Sequence, residues 1–96
     1  MLTLDEARAI AIKNLPKLND SRIDLIILDE CTIAKSYGWV FFFNSKQFME
    51  TRDANFAIGG NGPVVVRHNG KCDRLTSAGV PEETIATFEK KHWLKP

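Results

Sequence analysis

The longest aromatic tract of the chain packs five of its nine aromatic side chains into seven positions. It is too short for a stable helix, and its aromatic and β-branched residues favour a strand. Successive side chains of a strand point to opposite faces. Trp39, Phe41 and Phe43 therefore share one face. Val40 and Phe42 share the other. Because both faces are apolar, the pattern predicts a central strand with another layer packed on each side.

The start of the chain has the spacing of an amphipathic helix. Thr3 followed by Glu6 has the pattern of a capping box, in which each side chain bonds the other residue's backbone N–H. Apolar positions then recur at helical spacing and predict a helix from about Leu4 to Asn14. Ala7 and Ala11 lie on its apolar stripe, and their small side chains would allow the helix to lie close to a sheet.

Residues 23–34 alternate between apolar and polar positions and predict one long strand. Asp29 falls on the apolar side of this alternation, where an unpaired carboxylate would be costly. We therefore expect a bulge or bend near Asp29 and Glu30. A short turn at Gly38 leads into the aromatic strand, and two extended segments joined in this way predict a β-hairpin.

Residues 45–60 predict a long ordered loop with room for a helical turn, and residues 59–63 follow with the densest turn signal of the chain. The next apolar run, residues 64–66, predicts a buried strand that Pro63 opens. An Asn-Gly pair at residues 69–70 then predicts a second hairpin, whose return strand spans residues 72–75.

Pro81 suits the first position of a closing helix, with two glutamates at its positive end. Ile85, Phe88, His92 and Trp93 form the predicted apolar stripe of that helix. The predicted fold class is α+β, in a single domain over residues 1–96. It consists of an N-terminal helix, a four-stranded antiparallel meander sheet made of two hairpins, and a C-terminal helix.

Composition narrows the possible partners. The net charge of the 96 residues is +1, and no basic stripe of the kind that binds nucleic acid is present. No apolar run reaches the length of about 18 residues that a membrane span needs. The acidic N-terminus lacks the features of a signal peptide, so we expect a cytoplasmic protein. Cys31 and Cys72 are expected to be reduced thiols that are buried and pack as small hydrophobic residues. A disulfide between them stays possible.

Known catalytic and nucleotide-binding motifs are absent from the sequence. His68 lies four residues before Cys72 across a tight turn, so the two side chains could approach each other. A Cys/His nucleophile also needs an orienting third group and an oxyanion hole, and the sequence offers neither. A packed cysteine beside a hairpin histidine is the favoured interpretation. We therefore expect no enzyme activity, no cofactor and no metal site.

Several features together resemble the immunity protein 35 family, which includes the YrhB-like proteins. They are a Gly38-Trp39 strand, a Gly-Asn-x-Pro element at residues 60–63 that opens an apolar strand, a turn at Gly70, and a closing helix that starts with acidic residues. The resemblance extends from the opening helix to Phe88, where the family pattern has Tyr. Tyr37 occupies a position where the family expects a bulky residue only loosely.

The resemblance implies a bacterial immunity protein that binds a cognate toxin of a polymorphic or contact-dependent system. Some toxins paired with this family resemble papain-like cysteine peptidases, which such a protein would neutralise by occluding the active site. The YrhB-like branch implies a heat-stress chaperone, a holdase. A small-ligand module with residues 45–60 as a lid is a third interpretation. We favour the inhibitor because a holdase needs exposed apolar surface, and most apolar residues here follow a pattern that buries them.

The predicted contact with the toxin combines a hairpin tip with a neighbouring glycine-rich loop. Tight turns on rigid strands can be presented to a partner at little ordering cost, although the glycines could serve the turns alone. Trp39 is predicted to be mostly structural. Oligomeric state stays open between a monomer and a small homo-oligomer. The predicted partner-binding residues are Ser36, Tyr37, Gly38, Trp39, Asn61, Gly62 and Pro63.

Overall fold

The computed structural model describes residues 1–59 and 61–93; Gly60 of the glycine-rich loop and residues 94–96 lie outside the described residues. Single 3₁₀ turns occupy Asp29–Cys31 and Ala54–Phe56. The helices and strands of the described residues are, in chain order, α1 (Leu4–Lys13), β1 (Leu25–Ile27), β2 (Ile33–Lys35), β3 (Gly38–Phe41), β4 (Phe43–Ser45), α2 (Lys46–Thr51), β5 (Val64–Arg67), β6 (Cys72–Arg74) and α3 (Pro81–His92).

Four strands form an antiparallel sheet in the order β2-β3-β5-β6, and β1 pairs with β4 in a separate two-stranded ribbon. The α+β class and the helix–meander–helix order are confirmed. The single long strand predicted over residues 23–34 is wrong, because the 3₁₀ turn at Asp29–Cys31 divides it into β1 and β2. The expected bend is nevertheless at Asp29, whose carboxylate is exposed and paired with the Arg8 guanidinium at 2.7 Å.

The sheet carries one helix on each face. On the first face, α1 packs through the fully buried Ala7 and Ala11. On the second face, α3 packs through Ile85 and Phe88. The aromatic strand supplies both cores, as its alternation predicted: Phe41 belongs to the α1 side and Val40 to the α3 side, both with no exposed surface.

Local signals fix the helix ends. Thr3 Oγ1 accepts a hydrogen bond from Glu6 N at 3.2 Å, and Glu6 Oε1 accepts one from Thr3 N at 2.9 Å, which completes the predicted capping box. The end of α3 differs from the prediction. Trp93 is the left-handed C-cap, with φ of 56°, and 92% of it is exposed. The chain leaves the helix at this residue, so Trp93 does not join the apolar stripe.

The two cysteines are free thiols in different surroundings. Cys31 is exposed because it lies in the 3₁₀ turn and not in a strand, so its predicted burial is wrong. Cys72 is half-buried beside the α1-side core, and burial raises the pKa of its thiol.

The segment after β4 is ordered by short local structures. Ser45 is fully buried and caps α2 by accepting a hydrogen bond from Phe48 N at 3.1 Å. Arg52 ends α2 in the left-handed region, and the 3₁₀ turn at Ala54–Phe56 follows. Of the helices in the described part of the chain, none is both long and apolar enough to cross a membrane.

Candidate partner-binding surface

The seven residues predicted to bind a partner fall at opposite ends of β5. Gly38 lies opposite Arg67 at the end of that strand, whereas Pro63 immediately precedes its first residue. With a rise of about 3.3 Å per residue, the two groups are roughly 15 Å apart along the strand. The structure therefore separates two loops that the sequence analysis placed side by side.

The turn between β2 and β3 instead has the Asn-Gly turn between β5 and β6 as its neighbour. His68 N donates a hydrogen bond to Tyr37 O at 2.9 Å, which extends the pairing of β3 and β5 into both turns. We call residues 36–38 and 68–71 together the hairpin end. Ser36, Asn69 and Lys71 are its exposed side chains. Two adjacent turns on paired strands make a narrow, preorganised edge.

Tyr37 connects the hairpin end to α3. Its phenol donates a hydrogen bond to Glu89 Oε2 at 2.6 Å, and Lys35 Nζ lies 3.1 Å from the same oxygen. Glu89 is buried although it is ionisable, because these two donors compensate its carboxylate for the loss of water. Burial and the carboxylate raise the pKa of Tyr37. The phenol therefore ties α3 to the sheet, and only part of the side chain is open to a partner.

The next two residues, Gly38 and Trp39, pack closely against their neighbours in the fold. Gly38 has φ of 151°, and a Cβ atom there would lie 2.0 Å from Val66 O, so only glycine fits. Trp39 is half-buried and meets the ring of His68 edge-on, with 4.9 Å between ring centroids. His68 Nδ1 is buried and has no hydrogen-bond partner among the described residues.

The remaining predicted residues, 61–63, lie at the other end of the sheet, which we call the loop end. A Cβ atom on Gly62 would lie 2.2 Å from Leu75 O, so close approach and not a positive φ explains this glycine. Pro63 is buried, and its carbonyl accepts a hydrogen bond from Leu75 N at 2.8 Å. Asn61 is partly exposed beside a small cavity of about 190 Å³ that reaches Thr84 of α3.

Sequence reasoning missed a groove between β6 and α3. Its volume is about 470 Å³, and its lining includes Leu75 and Phe88. Arg67 contacts two of the lining residues, with its guanidinium 5.3 Å from the centroid of the Phe88 ring and 3.2 Å from Asp73 Oδ2. Arg67 occupies the same face as Val65, so a charge at an apolar position of β5 was the available signal.

The polar atoms beside this groove are incompletely bonded. The Arg67–Asp73 contact is an ion pair by distance but lacks hydrogen-bond geometry. Two guanidinium nitrogens and Asp73 Oδ2 are buried without a hydrogen-bond partner among the described residues. Such groups carry a desolvation cost that a suitable partner atom would relieve. The described residues contain no cluster of three metal-ligating side chains.

Comparisons of the sequence with known proteins identify a family and one relative. The model of the family described as immunity protein 35 matches residues 5–95. A protein of Escherichia coli strain K12, described as uncharacterised protein YrhB, is 33% identical over 57 residues. The match covers 58% of this chain and 61% of that relative, so the chain spans about three fifths of its length. No solved structure matches. Because the family model covers nearly the whole sequence, the chain belongs to the immunity protein 35 family.

Proposed function

We propose that this protein is an immunity protein that binds a cognate toxin and blocks its activity without chemistry of its own. The family match over residues 5–95 carries the proposal. Burial raises the pKa of the Cys72 thiol, and a thiol that keeps its proton is a poor nucleophile.

The hairpin end is the part of the predicted surface best suited to occlude a toxin active site. Its two turns lie side by side, and the Tyr37–Glu89 hydrogen bond fastens them to α3. A preformed edge loses little conformational entropy when it enters a cleft. A papain-like cysteine peptidase has a cleft of this kind, and we propose that class as the target. Residues 61–63 would then form a separate contact at the loop end.

Two substitutions at the hairpin end test this proposal. Ser36→Arg and Lys71→Glu alter exposed positions of the two turns. Lys17→Glu makes the same charge change as Lys71→Glu on a loop outside this surface. The readouts are growth of cells that express the neighbouring toxin gene, and calorimetric affinity for an inactivated toxin. We expect Ser36→Arg and Lys71→Glu to lose growth protection and about tenfold or more in affinity. The unfolding temperature of each variant is measured to verify that it is folded.

The same measurements separate this proposal from the chaperone alternative. Large exposed apolar side chains lie on different elements, such as Ile12 on α1, Ile26 on β1 and Val80 before α3. Wild-type protein that neither binds nor protects against the toxin, yet suppresses aggregation of unrelated heated proteins at low molar ratio, would identify a holdase.

A further inference from the structure

From the groove beside β6 we infer that this edge of the sheet receives an extended segment of the protein partner, which adds to β6 as a further strand and places alternate side chains under α3. The inference rests on the proposed function for the identity of that partner.

The first support is the hydrogen-bonding state of β6. Among the described strands, β6 pairs with β5 alone. Leu75 N donates a hydrogen bond to Pro63 O, and Arg67 N donates one to Lys71 O. With the register of β5 and β6, these two bonds identify which residues of β6 direct their backbone groups toward β5 and which direct them away. In an antiparallel pair, every second residue directs its N–H and C=O toward the partner strand. The backbone groups of Cys72 and Arg74 therefore point outward from the sheet, as a strand-adding peptide requires.

The second support is the position of α3. Lys35 and Tyr37 both contact Glu89 and hold α3 toward the β2 side of the sheet. The opposite side, next to β6, keeps the groove of about 470 Å³. An added strand lies about 4.8 Å beyond β6, so its alternate side chains would enter this space. The Leu75 and Phe88 side chains offer an apolar floor.

The third support is charge. Glu89 of α3 is bonded at the hairpin end, whereas Thr84 lines the cavity at the loop end, so α3 runs antiparallel to β6. Of the groove-lining charges on α3, Glu83 consequently lies toward the loop end and Lys91 toward the hairpin end. A segment antiparallel to β6 would best carry a basic residue near its amino end and an acidic residue near its carboxyl end.

Two probes test the inference with the full chain. The first is the inactivated toxin encoded by the neighbouring gene. The second is a blocked peptide of about eight residues that alternates Val and Thr, with Lys near its amino end and Glu near its carboxyl end. Amide hydrogen exchange is followed residue by residue. We expect saturation with either probe to slow exchange at Cys72 and Arg74 about tenfold or more, because their N–H groups become hydrogen-bonded.

Substitutions provide matched controls. Thr87→Arg fills the groove, and Ala86→Arg adds the same side chain at an exposed neighbour that does not line it. Arg74→Pro removes an outward N–H that β5 does not use, and Arg74→Gln removes the charge alone. We expect Thr87→Arg and Arg74→Pro to weaken toxin binding about tenfold or more, and both controls to bind like wild type. Unfolding temperatures verify that each variant is folded.

The outcomes separate the inference from the proposed function. Toxin binding that leaves exchange at Cys72 and Arg74 unchanged, with equal affinities for Thr87→Arg and Ala86→Arg, overturns the inference while the proposed function stands. Protection by the peptide without toxin binding supports the inference and removes the proposed function. No protection by either probe overturns the inference. A dimer of the free protein that Thr87→Arg dissociates would also overturn it, because a second copy would then occupy β6.

Discussion

At the scale of single residues, Tyr37 shows how one side chain can join distant parts of the chain. It is the only tyrosine, and its phenol donates to a carboxylate 52 positions later in the sequence. The pKa of Tyr37 is raised, so the folded state holds the phenol proton more tightly than the unfolded state does. The protonated phenol therefore stabilises the folded state, and this contribution is fully present at pH values below the ordinary tyrosine pKa of about 10. It is lost as pH rises above that value.

We therefore expect the phenolate absorbance of the native protein to appear only at pH values above the ordinary tyrosine pKa of about 10. In denaturant, the absorbance should appear near that value. Tyr37→Phe should lower the free energy of unfolding by about 1–3 kcal/mol at neutral pH, because buried Glu89 loses a hydrogen-bond donor. It should also reduce the loss of stability at alkaline pH. Titration of native Tyr37 at its ordinary pKa would contradict this account.

Three glycines provide a graded test of backbone crowding. A Cβ atom on Gly38 or Gly62 would meet backbone atoms at 2.0 and 2.2 Å, whereas one on Gly59 meets nothing within 4 Å. Alanine at Gly38 or Gly62 should destabilise the fold by about 1–3 kcal/mol or more, and Gly59→Ala should be close to neutral. Chemical denaturation of the three variants measures the order. Equal stability of Gly38→Ala and Gly59→Ala would refute the close approach of β3 and β5.

Another prediction at the scale of single residues concerns Trp39. Its half-buried indole packs against the α1-side core and the His68 ring. Trp39→Ala should lower the free energy of unfolding by about 3–5 kcal/mol. Denaturation and toxin affinity should be measured on the same variant. Unchanged stability combined with lost affinity would make Trp39 an interface residue instead.

At the scale of elements, the contact of α1 with the sheet depends on alanine. Ala7 and Ala11 have no exposed surface, whereas Ala9 is exposed on the same helix. We expect Ala7→Leu and Ala11→Leu to destabilise the protein by about 1–3 kcal/mol through overpacking. Ala9→Leu is the matched control and should change stability little. Thermal unfolding of the three variants checks the contact, and similar losses at all three positions would contradict it.

How far the elements could be predicted depended on the range of the forces involved. The capping box and Pro81 act within a few residues, and they predicted the starts of α1 and α3 correctly. The alternation around Val40 predicted the two faces correctly, but the aromatic tract that was predicted as one strand is divided at Phe42 into β3 and β4. The division of residues 23–34 into two strands was predicted only in part. Asp29 indicated the bend, but no local pattern indicated that β1 and β2 pair with different strands. The pairing of two turns at the hairpin end depends on strand register across the sheet, which the local pattern does not specify.

At the scale of the whole molecule, the sheet has two apolar faces and each needs its own helix. The face formed by Val40 and Val65 is covered by Ile85 and Phe88 of α3. A chain that stops at Gly79 would expose this face to water. We expect this truncation to abolish cooperative thermal unfolding and to bind a hydrophobic dye, in contrast to the full chain. A truncated chain that unfolds cooperatively would show that α1 and the sheet form an independent unit.

The order of strands in the four-stranded sheet has a kinetic consequence. Each strand pairs with the strand of that sheet that comes next along the chain, and all the pairs are antiparallel. The hairpins β2–β3 and β5–β6 close short turns, whereas the pair of β3 and β5 closes the longer connection of residues 42–63. We therefore expect each hairpin to form before the pair of β3 and β5 that joins them. Under the proposed function, the time needed to join the two hairpins would set how soon protection follows synthesis.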